Sequence, residues 1–512
     1  MRLPASSALW RTLGHFYART RLRARGDFTQ DIDNPALAPE PRWRQPLPTL
    51  LDHSSASSLP AQDGPSTAIV VLGGGLAGLY AAYHLASGGV PVIVVEREFE
   101  PGGLLRGHRF RDHRYSIAEA PLVTTDADLA QDLARLLPPD LVSTEPPPPP
   151  SMIRWNGTDQ SLPLRLRDLL PGLPPALRSN LILSQLGASF RPGRQLSPSP
   201  GDAAEVLRQR YGAPLFQMVI QPDLEHYWSM PLKELAPAAA GFPMREIFSS
   251  PAAKDDPPPW SIRCAPHVVA ARLAEAICGA GGRIFFGAEV EEVSLGSAFT
   301  SHVVIRDRLT PADEPPTRLR ISAQGVLSTV PLRSLVRSLG NCVPAQVHAS
   351  SYYLSYLPVQ THACLVHPER CLDHLTLHFR DRPFLRITEP RHFSLEPQDA
   401  PKPSSNLILI EVPGRTPQHS TDVWQSVLEA LESEKICERS DIIETQSLLS
   451  SGGHPILRRD GASPLERIHE CLNRFPALRI AGACGRFACA SPVEAMLSAR
   501  AAAYDLATKR AG

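Results

Sequence analysis

The stretch Ala68-Ile69-Val70-Val71-Leu72-Gly73-Gly74-Gly75-Leu76-Ala77-Gly78 is an apolar run broken by glycines, and Val92-Ile93-Val94-Val95-Glu96 comes after it as a second apolar run closed by an acid. The first run reads as a buried strand that turns at Gly73. Gly75 lets backbone come close to a pyrophosphate, and Gly78 lets the next helix pack tightly on the strand. The helical pattern Leu76, Leu79, Tyr80, Tyr83, Leu85 then places a helix N-terminus, with its unpaired N–H groups and positive dipole end, at the phosphates. Glu96 is placed to accept hydrogen bonds from an unphosphorylated ribose. Strand, glycine turn, helix and acid occur in the order that dinucleotide binding requires.

The residues after Glu96 separate one dinucleotide from another. Glu96-Arg97-Glu98-Phe99-Glu100-Pro101-Gly102-Gly103-Leu104-Leu105-Arg106 resembles the extended signature of the FAD-binding amine oxidase superfamily, in which a Gly-Gly pair wraps the flavin diphosphate. The resemblance implies FAD, held by Gly73, Gly75, Leu76, Ala77, Gly78, Glu96, Arg97, Gly102, Gly103 and Leu104. Many members carry Arg directly after the Gly-Gly pair; here that position is Leu104 and the nearest base is Arg106.

The far end of the chain continues the likeness. The stretch 475–485, Phe-Pro-Ala-Leu-Arg-Ile-Ala-Gly-Ala-Cys-Gly, is similar to the superfamily's late strand and turn, with a helix expected over about 492–506. The resemblance aims that helix's N-terminus at the flavin and makes Gly482, Val493 and the backbone up to Ala495 cofactor candidates. Segments 162–175 and 206–216, with Tyr227-Trp228, resemble the substrate domain of protoporphyrinogen-oxidase-like and UDP-galactopyranose-mutase-like flavoproteins. Segment 268–290 reads as helix, tight turn and strand, and Val290 joins the cofactor candidates. The implied fold is α/β, a discontinuous Rossmann-like FAD-binding domain with a mixed α+β substrate domain. The expected divisions are an extension and linker at 1–65, FAD-domain parts at 66–150, 262–345 and 451–512, a helical substrate part at 151–261 and an antiparallel sheet at 346–450. Expected strands of that sheet are 352–356, 375–379, 385–387 and 407–412, and Ser328-Thr329-Val330-Pro331 closes a further strand of the FAD domain.

The departures carry information too. Where mutases and many oxidases of this group place Gly-Pro-His or Gly-Pro-Arg beside the flavin, the chain has Ala118-Glu119-Ala120-Pro121-Leu122-Val123, so no base stands at Leu122. That argues against the usual mutase chemistry. Ala483 and Ala499 also replace a frequent basic residue and a usual glycine.

Composition sets the remaining bounds. The 512 residues carry zero formal net charge with no basic face, which argues against nucleic acid. Nine cysteines, all from Cys264 onward and without a Cys-x-x-Cys pair, argue against a disulfide framework or zinc site and for the cytoplasm or another reducing compartment. Cys484 and Cys489 flank the expected flavin turn. No metal-ligand spacing and no run of about 18 apolar residues occurs, so no transmembrane segment is expected. The first 25 residues lack an acid and interleave arginines with Leu9, Trp10, Leu13, Phe16 and Tyr17. They read as an organelle presequence, a segment for peripheral membrane contact or a plain extension, with a linker over 34–66 after them. Proline runs at 146–150 and 255–259, and Ser-Pro repeats at 197–201, read as connectors and breakers.

Taken together, these residues read as an FAD-dependent oxidoreductase acting on a C–H or C–N bond of a small-molecule substrate. The alternatives are a mutase-like isomerase acting on a nucleotide sugar and a non-catalytic FAD-binding scaffold. No catalytic side chain is assigned, because the isoalloxazine supplies the electron chemistry. Tyr227, Arg386, His392 and Arg458 are candidates for orienting a substrate.

Overall fold

The computed structural model describes residues 68–508 apart from positions 120 and 156, segments 145–150, 242–258, 297–300, 309–317, 394–403 and 415–420, and most of 163–200. The N-terminal extension, the proline runs (up to Pro258) and the Ser-Pro repeats lie outside the described residues.

Five strands form an all-parallel sheet: β1 (Ile69–Leu72), β2 (Val92–Val95), β3 (Arg283–Phe285), β4 (Gly325–Ser328) and β5 (Leu478–Ile480), in the spatial order β3-β2-β1-β4-β5. Val70 pairs in register with Ile93 on one side and Val326 on the other. Parallel strands covered on both faces need apolar side chains in both directions, which is why these sequences run apolar without a polar alternation. Ile69, Val71, Val94 and Leu327 join one core cluster, while Val70, Leu72, Val95 and Val326 join another.

Helix α1 (Leu76–Ser87) covers the first face and packs against α2 (Pro266–Gly279) and α3 (Pro492–Thr508), with Leu79, Leu273 and Met496 in their shared core. The other face meets an antiparallel meander of Ala288–Ser294, Ser301–Asp307 and Arg318–Ala323, through Val303 and Ile305. Both the expected helix after Gly75 and the expected C-terminal helix are present. The latter starts at Pro492, where the missing proline N–H breaks no intrahelical bond.

The remaining elements combine helices between 203 and 241 with a seven-stranded sheet. Its spatial order is Ile442–Ile456, Ser355–Val366, Asn406–Val412, Arg386–Thr388, Thr376–His378, Ser151–Trp155, Thr158–Ser161. The sheet is antiparallel except where Thr376–His378 meets Ser151–Trp155 in parallel. Three expectations change here. Tyr352 and Tyr353 are exposed residues after the helix Ala345–Ser351, and the strand begins only at Ser355. A hairpin, Ser151–Trp155 with Thr158–Ser161, joins the sheet from the segment read as helical. The 15-residue strand Ile442–Ile456 runs past position 450, with a register shift between Ser450 and His454 against the neighbouring strand, so the sheet extends past the expected division there. Helix Thr421–Ser433 covers one face of the sheet with Val427 and Leu431 on Ile387, Ile408 and Ile410. Arg386 and Glu411, one residue along from Ile387 and Ile410, therefore face the opposite side.

Candidate functional site

The C-terminal ends of β1, β2 and β4 carry the turns that build the site. Gly73 turns with φ +100°, a conformation that side chains rarely tolerate, and its N–H donates to the Val95 carbonyl at 2.8 Å. The Thr329 hydroxyl donates to the carbonyl of Leu72 at 2.9 Å and fixes the turn from β4. A Cβ on Gly78 would lie 2.0 Å from the Gly73 carbonyl oxygen, so glycine there is what allows α1 to approach β1. Gly75, by contrast, is extended at φ −72°, and a Cβ there would meet nothing nearer than Gly103 Cα at 3.9 Å. No side chain caps α1.

The second glycine pair stands against the first. Gly102, at φ +119°, donates its N–H to the Gly74 carbonyl at 2.7 Å, and Gly75 and Gly102 form a bridge. Beside them the buried Glu96 carboxylate accepts the Gly74 N–H at 2.5 Å and the Glu98 N–H at 2.7 Å. Burial raises its pKa and the two N–H groups work in the opposite direction. Each oxygen keeps a further lone pair for a ligand hydroxyl. Arg106 lies on the same wall, its guanidinium held on the Gly103 carbonyl at 3.0 Å.

A cavity of about 530 Å³ opens on these turns and continues to the seven-stranded sheet. Of the sequence-derived cofactor candidates, Gly73, Gly75, Leu76, Ala77, Glu96, Arg97, Gly102, Gly103, Leu104, Val290 and Gly482 line it. Gly78 does not, because its place is the contact between helix and strand. Val493 does not either: its side chain is buried in the core that α3 shares with α1, which leaves only its backbone to face a cofactor. The first turn of α3 reaches the cavity through Ser491, Pro492 and Ala495. Ser491 and Glu494 cap it reciprocally, the Ser491 N–H donating to Glu494 Oε2 at 2.9 Å and the Glu494 N–H to Ser491 Oγ at 3.2 Å.

At the other end, the register of the seven-stranded sheet sets His378 opposite Arg386 and Arg386 opposite Glu411. All three line the cavity, joined by Tyr227 and Asp223 from the helix Gln221–Trp228 and by His454. Arg386 closes on Glu411 at 2.8 Å, and Asp223 lies 3.3 Å from the Arg380 guanidinium, whose plane covers the Trp155 ring. Burial pushes Asp223 up to about 6 and, with the Arg386 charge, pushes His378 down to about 3; burial lowers His454 as well. Phe379, Leu224, Leu385 and Tyr356 supply apolar wall.

Of the four orienting candidates, Tyr227 and Arg386 therefore lie on the cavity. His392 sits in the turn Pro390–Phe393 against the Leu372 carbonyl, and Arg458 pairs with Asp460 and Glu234; neither lines the cavity. Leu122 is buried in the core, so the position at which the resemblance led a base to be expected presents nothing polar. Its neighbour Glu119 is a buried acid. Its Oε1 accepts the Ser116 N–H at 2.6 Å, its Oε2 has no hydrogen-bond partner, and burial pushes it up to about 7. His378, Glu411, His454 and Asp223 were not singled out from the sequence, since only strand register and helix docking bring them together. The alternation in 375–379 and 407–412 could have marked His378 and Glu411 as facing one side.

All nine cysteines are unpaired, and burial pushes Cys484, on the cavity, up to about 11 and Cys489 up to about 12. Among the described residues no group of three His, Cys, Asp or Glu is placed to hold a metal, and no helix is long and apolar enough to cross a membrane.

Known proteins agree with this architecture. Residues 71–135 match the family of the NAD(P)-binding Rossmann-like domain. A 69-residue stretch is 46% identical to a phytoene dehydrogenase of Streptomyces griseus, a match that spans 14% of this chain and 13% of that protein. Among solved structures, a reduced UDP-galactopyranose mutase superposes with a TM-score of 0.66 at 14% identity, covering 87% of this chain and 94% of the other. Cyclohexylamine oxidase from Brevibacterium oxydans gives 0.58 at 14% identity over 88% and 100%. A putrescine oxidase variant gives 0.56 at 16% identity over 86% and 98%. In fold, the chain is similar to these solved structures, the mutase and the two amine oxidases.

Proposed function

We propose that this chain is an FAD-dependent oxidoreductase that oxidises a C–H or C–N bond of a small organic molecule. The observation that carries the proposal is the single cavity running from the paired glycine turns to the row His378, Arg386, Glu411. A cofactor held at one end and a substrate entering from the other would meet inside one enclosure.

The residues present fit FAD. The bare faces of Gly75 and Gly103 leave a cradle that a side chain would fill, with the uncapped N-terminus of α1 at its edge and Arg106 on its wall. Glu96 would accept the ribose hydroxyls, and Val290 and Glu289 line the same end. The dipole of α3, entering through Ser491 and Pro492, favours negative charge at its N-terminus. Bound FAD supplies the redox chemistry; this chain's residues bind it, position the substrate and exclude water. Phe379, Leu224, Leu385 and Tyr356 keep the passage apolar, and Tyr227 and Arg386 offer hydrogen bonds for orientation.

The reading is tested by anaerobic titration of the purified flavoprotein with candidate donors, including amines, tetrapyrroles and nucleotide sugars. Bleaching of the flavin band by an organic donor, with one equivalent of oxidised product, supports it. A flavin that stays oxidised with every donor, or a nucleotide sugar isomerised without net oxidation, refutes it.

A further inference from the structure

The substrate end of the cavity contains charged side chains that are closed on one another. The charged residues lining this end are Asp223, Arg386 and Glu411. Arg386 meets Glu411 at 2.8 Å in adjoining strands, with both side chains more than four-fifths buried. Asp223 meets Arg380 at 3.3 Å, both about nine-tenths buried. His226, His378 and His454, the imidazoles of this wall, are neutral at neutral pH because burial disfavours their charged forms. Asp381, which also acts on this region, is exposed and screened by solvent. The remaining charged lining groups, Glu96, Arg97, Glu98, Arg106, Glu289, Arg333 and Arg337, come from the turns and segments after β1 to β4, at the dinucleotide end.

We propose that this end receives the neutral hydrogen-bonding group of a substrate, an amide, ketone or hydroxyl, and discriminates against both carboxylates and alkylammonium ions. The inference deepens the oxidoreductase reading and rests on it for the identity of the site. An anion entering here finds Arg386 already neutralised by Glu411, and a cation finds both carboxylates already held by guanidiniums. Either ion loses its hydration without gaining a counter-charge. A neutral group loses far less and can still exchange hydrogen bonds with imidazole and guanidinium edges.

Three probes of equal chain length decide the matter: octanamide, octanoate and octylammonium, each titrated calorimetrically into the purified full-length protein at pH 7. Octanamide is expected to bind about tenfold or more tightly than either ion. Glu411→Gln, which leaves Arg386 without its carboxylate, is expected to move the ranking about tenfold towards octanoate; replacing both residues by glutamine is expected to restore it. If Glu411→Gln does not fold, the wild-type ranking decides alone. Octanamide that ranks below either ion, or that does not bind at millimolar concentration, overturns the proposal. Calorimetry reads binding with or without flavin reduction. A flavin that no donor reduces and a preference for a charged probe are therefore separate results.

Discussion

Two glycines of one motif, three positions apart, should fail in opposite ways when each gains a methyl group. At Gly78 the new Cβ would lie 2.0 Å from the Gly73 carbonyl oxygen and 2.9 Å from Thr329 Oγ1, so the backbone of α1 or of the turn must move. Overpacking of that kind costs about 1–3 kcal/mol, with the upper part of the range expected because the obstacle is main chain. At Gly75 the Cβ would find its nearest atom at 3.9 Å, and φ −72° suits any residue. Stability without cofactor should change by no more than about 0.5 kcal/mol. The methyl group would instead occupy the cradle between the two glycine turns and displace a charge-assisted contact to phosphate. Such contacts are worth about 1.5–3 kcal/mol, or roughly ten- to a hundredfold in FAD affinity. The assay is paired: urea unfolding of the flavin-free protein for stability, and fluorescence quenching during FAD titration for affinity. Gly78→Ala should lower the urea midpoint, whereas Gly75→Ala should leave it in place and weaken FAD. Unchanged FAD affinity in Gly75→Ala, or an undisturbed midpoint in Gly78→Ala, would refute the reasoning.

Further outcomes are expected at four other positions. Glu96→Ala removes the acceptor of two N–H groups in a buried place, so it should cost about 1–3 kcal/mol in urea unfolding as well as weaken FAD; a loss of affinity alone would show that the backbone bonds are dispensable. Glu119 has its folded pKa raised to about 7, so the native state holds a proton that the unfolded chain has released above the ordinary carboxylate range. Its contribution therefore falls as pH rises from about 4.5 to 7 and is flat above that, by about 3 kcal/mol in all. Glu119→Gln should stabilise the protein increasingly across that window, and a pH-independent difference between variant and wild type would contradict the assignment. The Cys484 and Cys489 thiols, pushed up to about 11 and about 12, should resist iodoacetamide at pH 7.5 while the exposed Cys371 is alkylated; mass spectrometry of the peptides reads the order directly.

The dinucleotide half of this protein was legible because its chemistry is local. Within about 30 residues the strand, the turn, the helix and the acid must succeed one another; the backbone itself demands glycine at Gly73 and Gly78, while Gly75 and Glu96 fall where the motif places them. Gly102 and Gly103 were legible by resemblance, and the structure adds that they stand directly against Gly74 and Gly75. The other end of the cavity is assembled by long-range register. Nothing local places His378 beside Arg386 and Arg386 beside Glu411, or brings Asp223 from a helix more than 150 residues earlier to Arg380. The same reason explains the missed hairpin at 151–161, which joins the sheet by pairing with the distant Thr376–His378. Tyr352 and Tyr353 misled because aromatic, apparently alternating residues suit a strand edge, while here they end a helix and face solvent.

The central claim is that the paired glycine turns hold FAD, and the absorption spectrum of the purified chain tests it most directly. A flavin band near one equivalent per chain is expected, restored by added FAD after removal and not by NAD. A protein that carries no flavin and takes up none from an excess of FAD, while correctly folded by circular dichroism, would contradict it.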